Sequence, residues 1–337
     1  MAYIAMKPRF SIIVPLYNKA PYVKKALDSI VSQSFKDWEC IIVDDGSIDG
    51  SVAICDDFIN SLTPSFINSL RLIRQPNSGV AKARNVGVEN SSAPFVCFLD
   101  ADDWWEPTFL EEMDKLISEY PDACIYATNY IYYKPGKTHV ALKLERGYMN
   151  YPEAYLHGEM PVWTGATCMP RRVLDEMGGF PVGIKLGEDF LLWAKTALHY
   201  PVAYSEKPLA YYNNDVPAHL RATRNLHSPK YHKIFNLDVI ENELRAQSRE
   251  SRGKSGESRE VWKALLDKHR VEELLPYWLS DEYHDIAAEE LKKVDWDKQP
   301  GKVVTQYKQP IWLLRANIQI KQIGSYVKQK LIRMIKL

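Results

Sequence analysis

Four short apolar runs, each followed by a stretch of helical spacing, most constrain what this chain can fold into. Phe10-Ser11-Ile12-Ile13-Val14, Trp38 to Val43, Leu70 to Arg74 and Phe95 to Leu99 read as strands, the first stopped by Pro15. Between them, Pro21 to Ser34 puts Val23, Ala26, Leu27, Ile30 and Val31 on one helical face, and Ser51 to Leu62 and Val80 to Glu89 are also helical. Pro107 opens a helix running to about Tyr120, and Cys124 to Thr128 is a further strand. Strict alternation of this kind predicts an α/β fold with a mostly parallel sheet covered by helices on both faces. Segment 128–215 is more irregular, with hairpin-like pieces and helices near Arg171–Met177 and Asp189–His199. Residues 241–260 are strongly polar and are expected to be a mobile segment. The expected organisation is therefore an α/β domain over 1–240, the polar segment 241–260, and a helical region over 261–337 that includes Val261–Leu275 and His284–Lys293.

Charge excludes one class of function and singles out one end of the chain. Lys plus Arg and Asp plus Glu each number 43, so no general nucleic-acid role is implied. From Lys298 onward, however, nine residues are basic and none is acidic. The five cysteines, at 40, 55, 97, 124 and 168, have no metal-ligand spacing and suit a reducing compartment. No signal peptide is expected, and no apolar run approaches the roughly 20 residues that span a bilayer.

Ligands of doubly wound sheets bind beyond the carboxyl ends of the strands. That rule brings together three turns: Pro15-Leu16-Tyr17-Asn18, Asp44-Asp45-Gly46-Ser47, and Asp100-Ala101-Asp102-Asp103. Three carboxylates at the end of a buried strand repel one another, and a hard divalent cation would relieve them. The same acids could simply open the following helix. The first turn lacks Gly-x-Gly-x-x-Gly and a Walker A sequence, so a bound phosphate there would need a cation rather than backbone amides. This also weakens a nucleotidyltransferase reading. Asp44 can accept from a base or a ribose, or can close an Asx turn. Arg84 can meet a phosphate or be structural. Gly187-Glu188-Asp189 opens an apolar helix. Two adjacent acids near a metal-bound substrate would have raised pKa values, which suits a general base.

Ile12-Ile13-Val14-Pro15-Leu16-Tyr17-Asn18, Ile42-Val43-Asp44-Asp45-Gly46-Ser47, Ala83-Arg84-Asn85-Val86-Gly87, Phe98-Leu99-Asp100-Ala101-Asp102-Asp103, Gly178-Gly179-Phe180 and Gly187-Glu188-Asp189 occur in the order typical of family 2 glycosyltransferases. Over about residues 8–215 the chain resembles that family, of glycosyltransferase-A type. The resemblance implies a metal-dependent, inverting transfer from a nucleotide sugar, usually a UDP-sugar, with Mn2+ or Mg2+ as cofactor. It implies that Pro15 and Tyr17 flank the base, that Asp44 reads it, and that Arg84 faces the nucleotide. Asp100 would lie near ribose or metal as first acid of the Asp-x-Asp motif, and Asp102 would be the direct metal ligand. Asp189 matches the catalytic base, with Glu188 as the fallback, and Gly165 and Ala166 match a wall of the sugar pocket. His219 is the candidate for the metal-closing histidine, although the local match is loose. The Gln-x-x-Arg-Trp motif of processive synthases is absent, so a single hexosyl or N-acetylhexosaminyl transfer is expected.

Ile323, Val327, Leu331 and Ile335 recur every four residues, with Lys321, Lys328, Arg333 and Lys336 mostly elsewhere on the helix. A basic amphipathic helix of this kind can lie on an anionic membrane surface; the competing reading is a helix packed on protein. The expectation is a cytoplasmic enzyme, peripheral on the inner face of the membrane, acting on a glycan or lipid-linked acceptor. The alternative is a non-catalytic nucleotide-sugar-binding adaptor.

Overall fold

The computed structural model describes residues 7–63, 69–158, 160–217, 226–247 and 259–316. The strands are β1 (Phe10–Leu16), β2 (Trp38–Asp44), β3 (Leu70–Arg74), β4 (Phe95–Phe98), β5 (Trp104–Trp105), β6 (Ile125–Tyr133), β7 (His139–Val140), β8 (Gly147–Met149), β9 (Thr167–Pro170) and β10 (Val202–Asn213). They form one sheet in the order β3-β2-β1-β4-β9-β6-β10-β5, with β7 on β6 and β8 on β10. β1 pairs in parallel with both β2 and β4, and β2 with β3. Every residue of β1 and β2 is buried, which is why both are mostly apolar, and the polar side chains Ser11 and Glu39 inside them pair with each other, Ser11 Oγ donating to Glu39 Oε1 at 2.8 Å.

The crossover helices Val23–Val31, Ser51–Ser61 and Val80–Glu89 supply the covering layers. In the first, Val23, Ala26, Leu27 and Ile30 are buried, the face expected from spacing. The helix Val80–Glu89 comes unusually close to β1 at Gly87, where a Cβ would lie 2.4 Å from Ile13 Cγ2. Only glycine fits there, so the Gly of Ala83-Arg84-Asn85-Val86-Gly87 is a packing residue.

The second half departs from strict alternation. β9 inserts antiparallel between β4 and β6, pairing Cys97 with Cys168 and Tyr126 with Cys168. β6 is longer than expected and runs parallel to β10 from Ile125/Val202 to Tyr133/Asn213, with register shifts around Pro208. The helix Glu188–His199 is almost wholly buried, and Trp193 packs against Phe98 and Phe180.

The chain divides into two compact units, Met1–Trp262 and Lys263–Leu337. The helix Asp238–Gln247 crosses residue 241, where the polar segment was expected to begin, and residues 248–258 lie outside the described residues. The second unit is helical, with Leu275–Trp278, His284–Leu291 and Gly301–Lys308. Its core includes Leu265, Leu266, Leu274 and Ala287, and the Tyr307 hydroxyl donates to the Val271 carbonyl at 2.8 Å. Residues 317–337, which hold the amphipathic pattern, lie outside the described residues, as does His219. No helix among the described residues is long and apolar enough to cross a membrane.

Candidate active site

The carboxyl ends of β1, β2 and β4 are adjacent, so the three turns that follow them meet. Asn18 adopts a left-handed conformation (φ 51°), and its backbone N–H donates to Ser47 Oγ at 3.0 Å while its Oδ1 accepts from the Ile48 N–H at 2.9 Å. Lys19 N–H donates to Ser51 Oγ at 2.9 Å. These bonds lock the first turn onto the second. Lys19 also reaches the third turn: its Nζ donates to Asp102 Oδ2 at 2.6 Å, both side chains being mostly buried.

Asp44 and Asp45 are both 4% exposed but act differently. Asp45 accepts from Gln75 Nε2 and from the Ser78 and Gly79 N–H groups, all within 2.8 Å, and so fixes the loop before the helix Val80–Glu89. Asp44 Oδ1 accepts only the Ser47 N–H at 3.1 Å, which is the Asx turn. Its Oδ2 accepts no hydrogen bond among the described residues and stays available at the strand end. Pro15 is buried within β1, and Tyr17, directly after the end of β1, is 47% exposed.

Arg84 is the keystone. It is 4% exposed; its Nη2 donates to Asp100 Oδ1 at 2.8 Å and its Nη1 to Glu188 Oε1 at 2.7 Å. Both terminal nitrogens are thus committed to carboxylates, and Nε has no hydrogen-bond partner among the described residues. The guanidinium joins the Asp-x-Asp turn to the first turn of the helix Glu188–His199. Burial raises the Glu188 pKa, the Asp189 charge raises it further, and Arg84 opposes both.

Asp189, partly exposed beside the buried Glu188, accepts from Thr164 Oγ1 at 2.9 Å and from the Phe190 N–H at 2.7 Å. Thr164 opens the short 3-10 turn Thr164–Ala166, whose Gly165 carbonyl accepts from Trp105 Nε1 at 2.6 Å. A Cβ at Gly165 would fall 2.4 Å from the Trp163 ring, so this turn is packed to the limit that glycine allows. Sequence reasoning placed Gly165 and Ala166 at the pocket wall but missed Thr164, whose partner is 25 residues away.

The Asp-x-Asp turn carries unbalanced charge. Burial pushes the Asp102 carboxyl up, and Lys19 opposes the shift. Burial, then Asp102 and Asp100, push Asp103 well above the usual carboxylate range, while its Oδ1 accepts the Asn213 N–H at 2.7 Å. The donor set fits a hard cation in chemistry, being carboxylate oxygens held close enough to repel. No group of three ligating side chains is assembled among the described residues. One or two carboxylates suffice for a Mg2+-like ion where substrate phosphates and water complete its shell.

Comparison with known proteins gives a family and a fold. The family model for Glycosyl transferase family 2 matches residues 11–178, about half of the chain. Glycosyltransferase GlyA of Streptococcus pneumoniae is 40% identical over 122 residues, 36% of this chain and 17% of the relative. The minor teichoic acid biosynthesis protein GgaA of Bacillus subtilis is 31% identical over 196 residues, 56% of this chain and 43% of the relative. The chain therefore spans well under half the length of these relatives. The crystal structure of S. aureus TarS residues 1–349 in complex with UDP-GlcNAc superimposes with a TM-score of 0.68 at 21% identity, covering 92% of this chain and 88% of that one. The fold is thus of glycosyltransferase-A type with C-terminal helices, and through residues 11–178 the chain belongs to glycosyl transferase family 2.

Proposed function

We propose that this chain is a metal-dependent, inverting, non-processive glycosyltransferase that moves one hexosyl or N-acetylhexosaminyl group from a UDP-sugar to a hydroxyl of a glycan or lipid-linked acceptor. The observation that carries this reading is the Asp100–Arg84–Glu188 bridge, which sets the Asp-x-Asp turn and the helix bearing Asp189 on one rigid frame. Donor and acceptor chemistry need that frame, because misplacement by about 1 Å costs on the order of a hundredfold in rate.

In this reading Tyr17 stacks on the uracil and Asp44 Oδ2 accepts from its N–H. Asp102, with Asp100 beside it, would hold Mn2+ or Mg2+, whose charge would stabilise the negative charge that develops on the departing diphosphate. Lys19 stays next to that carboxylate. Asp189 takes the acceptor hydroxyl proton as the acceptor oxygen bonds to the anomeric carbon. The bond from that carbon to the diphosphate oxygen breaks, and its electron pair leaves with UDP. Attack from the opposite face inverts the centre. Thr164 Oγ1 and the Phe190 N–H hold the Asp189 carboxylate in one orientation. Arg84 keeps Glu188 occupied, which favours Asp189 as base.

The test is turnover of a panel of UDP-sugars with Mn2+, with and without acceptor, for the native chain and Asp189→Asn. The variant should retain UDP affinity and lose at least about a hundredfold in turnover. Near-normal turnover would remove Asp189 from the role. UDP binding without transfer or hydrolysis of any donor would instead support a non-catalytic adaptor. Peripheral membrane contact through residues 317–337 belongs to the same proposal, and the basic composition of that segment supports it. Sedimentation with anionic vesicles should fall when those residues are deleted; unchanged sedimentation would refute the contact.

A further inference from the structure

The second compact unit carries a pocket that the donor chemistry leaves unused. It lies wholly within Lys263–Leu337, encloses about 580 Å3, and is lined chiefly by Ser280, Asp281, His284, Asp285, Trp312 and Arg315. That volume falls in the range of small-molecule sites. Its floor is fixed by bonds inside the unit. Residues 311–316 are helical, and Arg315 ties them to the turn that precedes the helix His284–Leu291. Arg315 Nε and Nη2 donate to the Leu279 carbonyl at 3.0 and 2.6 Å, where the helix Leu275–Trp278 ends. Nη2 also donates to Asp281 Oδ1 at 2.6 Å. The Tyr283 N–H closes the turn on Ser280 Oγ at 3.3 Å. His284 Nδ1 donates to the Trp278 carbonyl at 2.8 Å, with the two rings 4.1 Å apart.

Four groups of this pocket are open. Trp312 is 70% exposed and makes neither a ring contact nor a hydrogen bond among the described residues. Asp285 is exposed and makes no hydrogen bond or ion pair there. With Nδ1 donating, His284 Nε2 keeps a lone pair to offer, and Arg315 Nη1 keeps its donors. Charge narrows what fits. Arg315 offsets Asp281 by pairing with it, so Asp285 is the one lining carboxylate left over. An anion would meet that carboxylate while the guanidinium is already shared. An acyl chain would strand the polar groups without hydrogen bonds. A cation would suit Trp312 and Asp285 but would face the Arg315 Nη1 donors. A neutral polyhydroxylated ring satisfies all four groups. Its C–H face covers the indole, its hydroxyls donate to Asp285 and His284 Nε2, and a hydroxyl oxygen accepts from Arg315 Nη1.

We propose that this pocket is a glycan-binding site of the second unit and takes pyranose rings of a neutral oligosaccharide. It goes beyond the donor and base assignments, because none of its residues belongs to them. The chain then grips a glycan through residues other than those that do the chemistry.

The test probes an array of immobilised neutral pyranose oligosaccharides with the full chain, in the absence of UDP and Mn2+. The native chain should bind a subset of the array. Trp312→Ala and Asp285→Ala should each lower that binding about tenfold, Trp312→Phe should keep part of it, and Asp189→Asn should leave it unchanged. Both pocket side chains are exposed, so the urea midpoints of these variants should match that of the native chain and establish that they fold. In parallel, incorporation of fluorotryptophan gives a fluorine NMR signal for Trp312, identified by its loss in Trp312→Phe, and an oligosaccharide from the bound subset should shift it. Four results would each overturn the proposal: no oligosaccharide bound, binding indifferent to Trp312→Ala and Asp285→Ala, binding lost in Asp189→Asn, or a Trp312 signal moved by tetramethylammonium and by no oligosaccharide. Each of them leaves the donor assignment standing.

Discussion

Replacing Arg84 by Met should test the frame on which both halves of the site rest. Met keeps much of the side-chain volume and removes the charge. In the native protein a guanidinium 4% exposed lies 2.7 Å from Glu188 and 2.8 Å from Asp100, whose side chains are 9% and 28% exposed. Without it, Glu188 is a buried carboxylate facing Asp189 with no counter-charge. Breaking a buried pair by removing one partner costs about 3–5 kcal/mol. We expect about 3 kcal/mol at pH 7, because Asp100 retains some solvent. The pH dependence has a definite sign. Glu188 has a folded pKa above its ordinary value of 4.5, and losing Arg84 raises it further. The folded state then binds more protons than the unfolded state between those two values, so stability falls as pH rises through that window. The penalty of Arg84→Met should therefore shrink as pH is lowered towards 4.5. Urea unfolding of the native chain and the variant at several pH values, followed by tryptophan fluorescence, measures it. A double substitution with Glu188→Gln should recover a large part of the loss. A cost below about 1 kcal/mol at pH 7, the scale of an exposed ion pair, or no dependence on pH, would refute the reasoning.

Three further outcomes follow from the same geometry. Thr164→Val removes one of two groups orienting Asp189 and should lower turnover by about tenfold while leaving UDP affinity intact; steady-state kinetics with the donor varied would expose any change in the donor KM instead. Gly87→Ala places a Cβ 2.4 Å from Ile13 Cγ2 and should cost about 1–3 kcal/mol, read from thermal or urea unfolding. Lys19→Met leaves Asp102 buried without its cation partner, so UDP binding should become more dependent on Mn2+, measured as the ratio of affinities with metal and with chelator; an unchanged ratio would separate Lys19 from the metal site.

The first half of the fold was legible because its signals are local. β1 and β2 are buried on both faces, so burial shows directly as predominantly apolar runs, and the buried face of Val23–Val31 follows from spacing alone. Of the later sheet only the start of β6 was, as Cys124 to Thr128. β10 contains Glu206, Lys207 and Pro208, where its register shifts, and this breaks the alternation that marks a strand. β9 is four residues long and lies between strands remote in sequence. In the site, the turns were found because topology puts strand ends together. The side-chain partners were hidden because they lie far apart along the chain: Lys19 and Asp102 by 83 residues, Arg84 and Glu188 by 104. Arg84 matched an arginine facing the nucleotide, yet its place in the fold is a clamp between two carboxylates. Asp44 makes the Asx turn and still keeps one oxygen free, so the two readings of it are compatible.

Crystals soaked with UDP and Mn2+, with diffraction recorded at the manganese absorption edge, test the central claim most directly. The account predicts one anomalous peak within about 2.5 Å of an Asp102 carboxylate oxygen and in contact with the diphosphate. UDP bound with its diphosphate remote from Asp100 and Asp102, and no anomalous peak at Asp102, would contradict it.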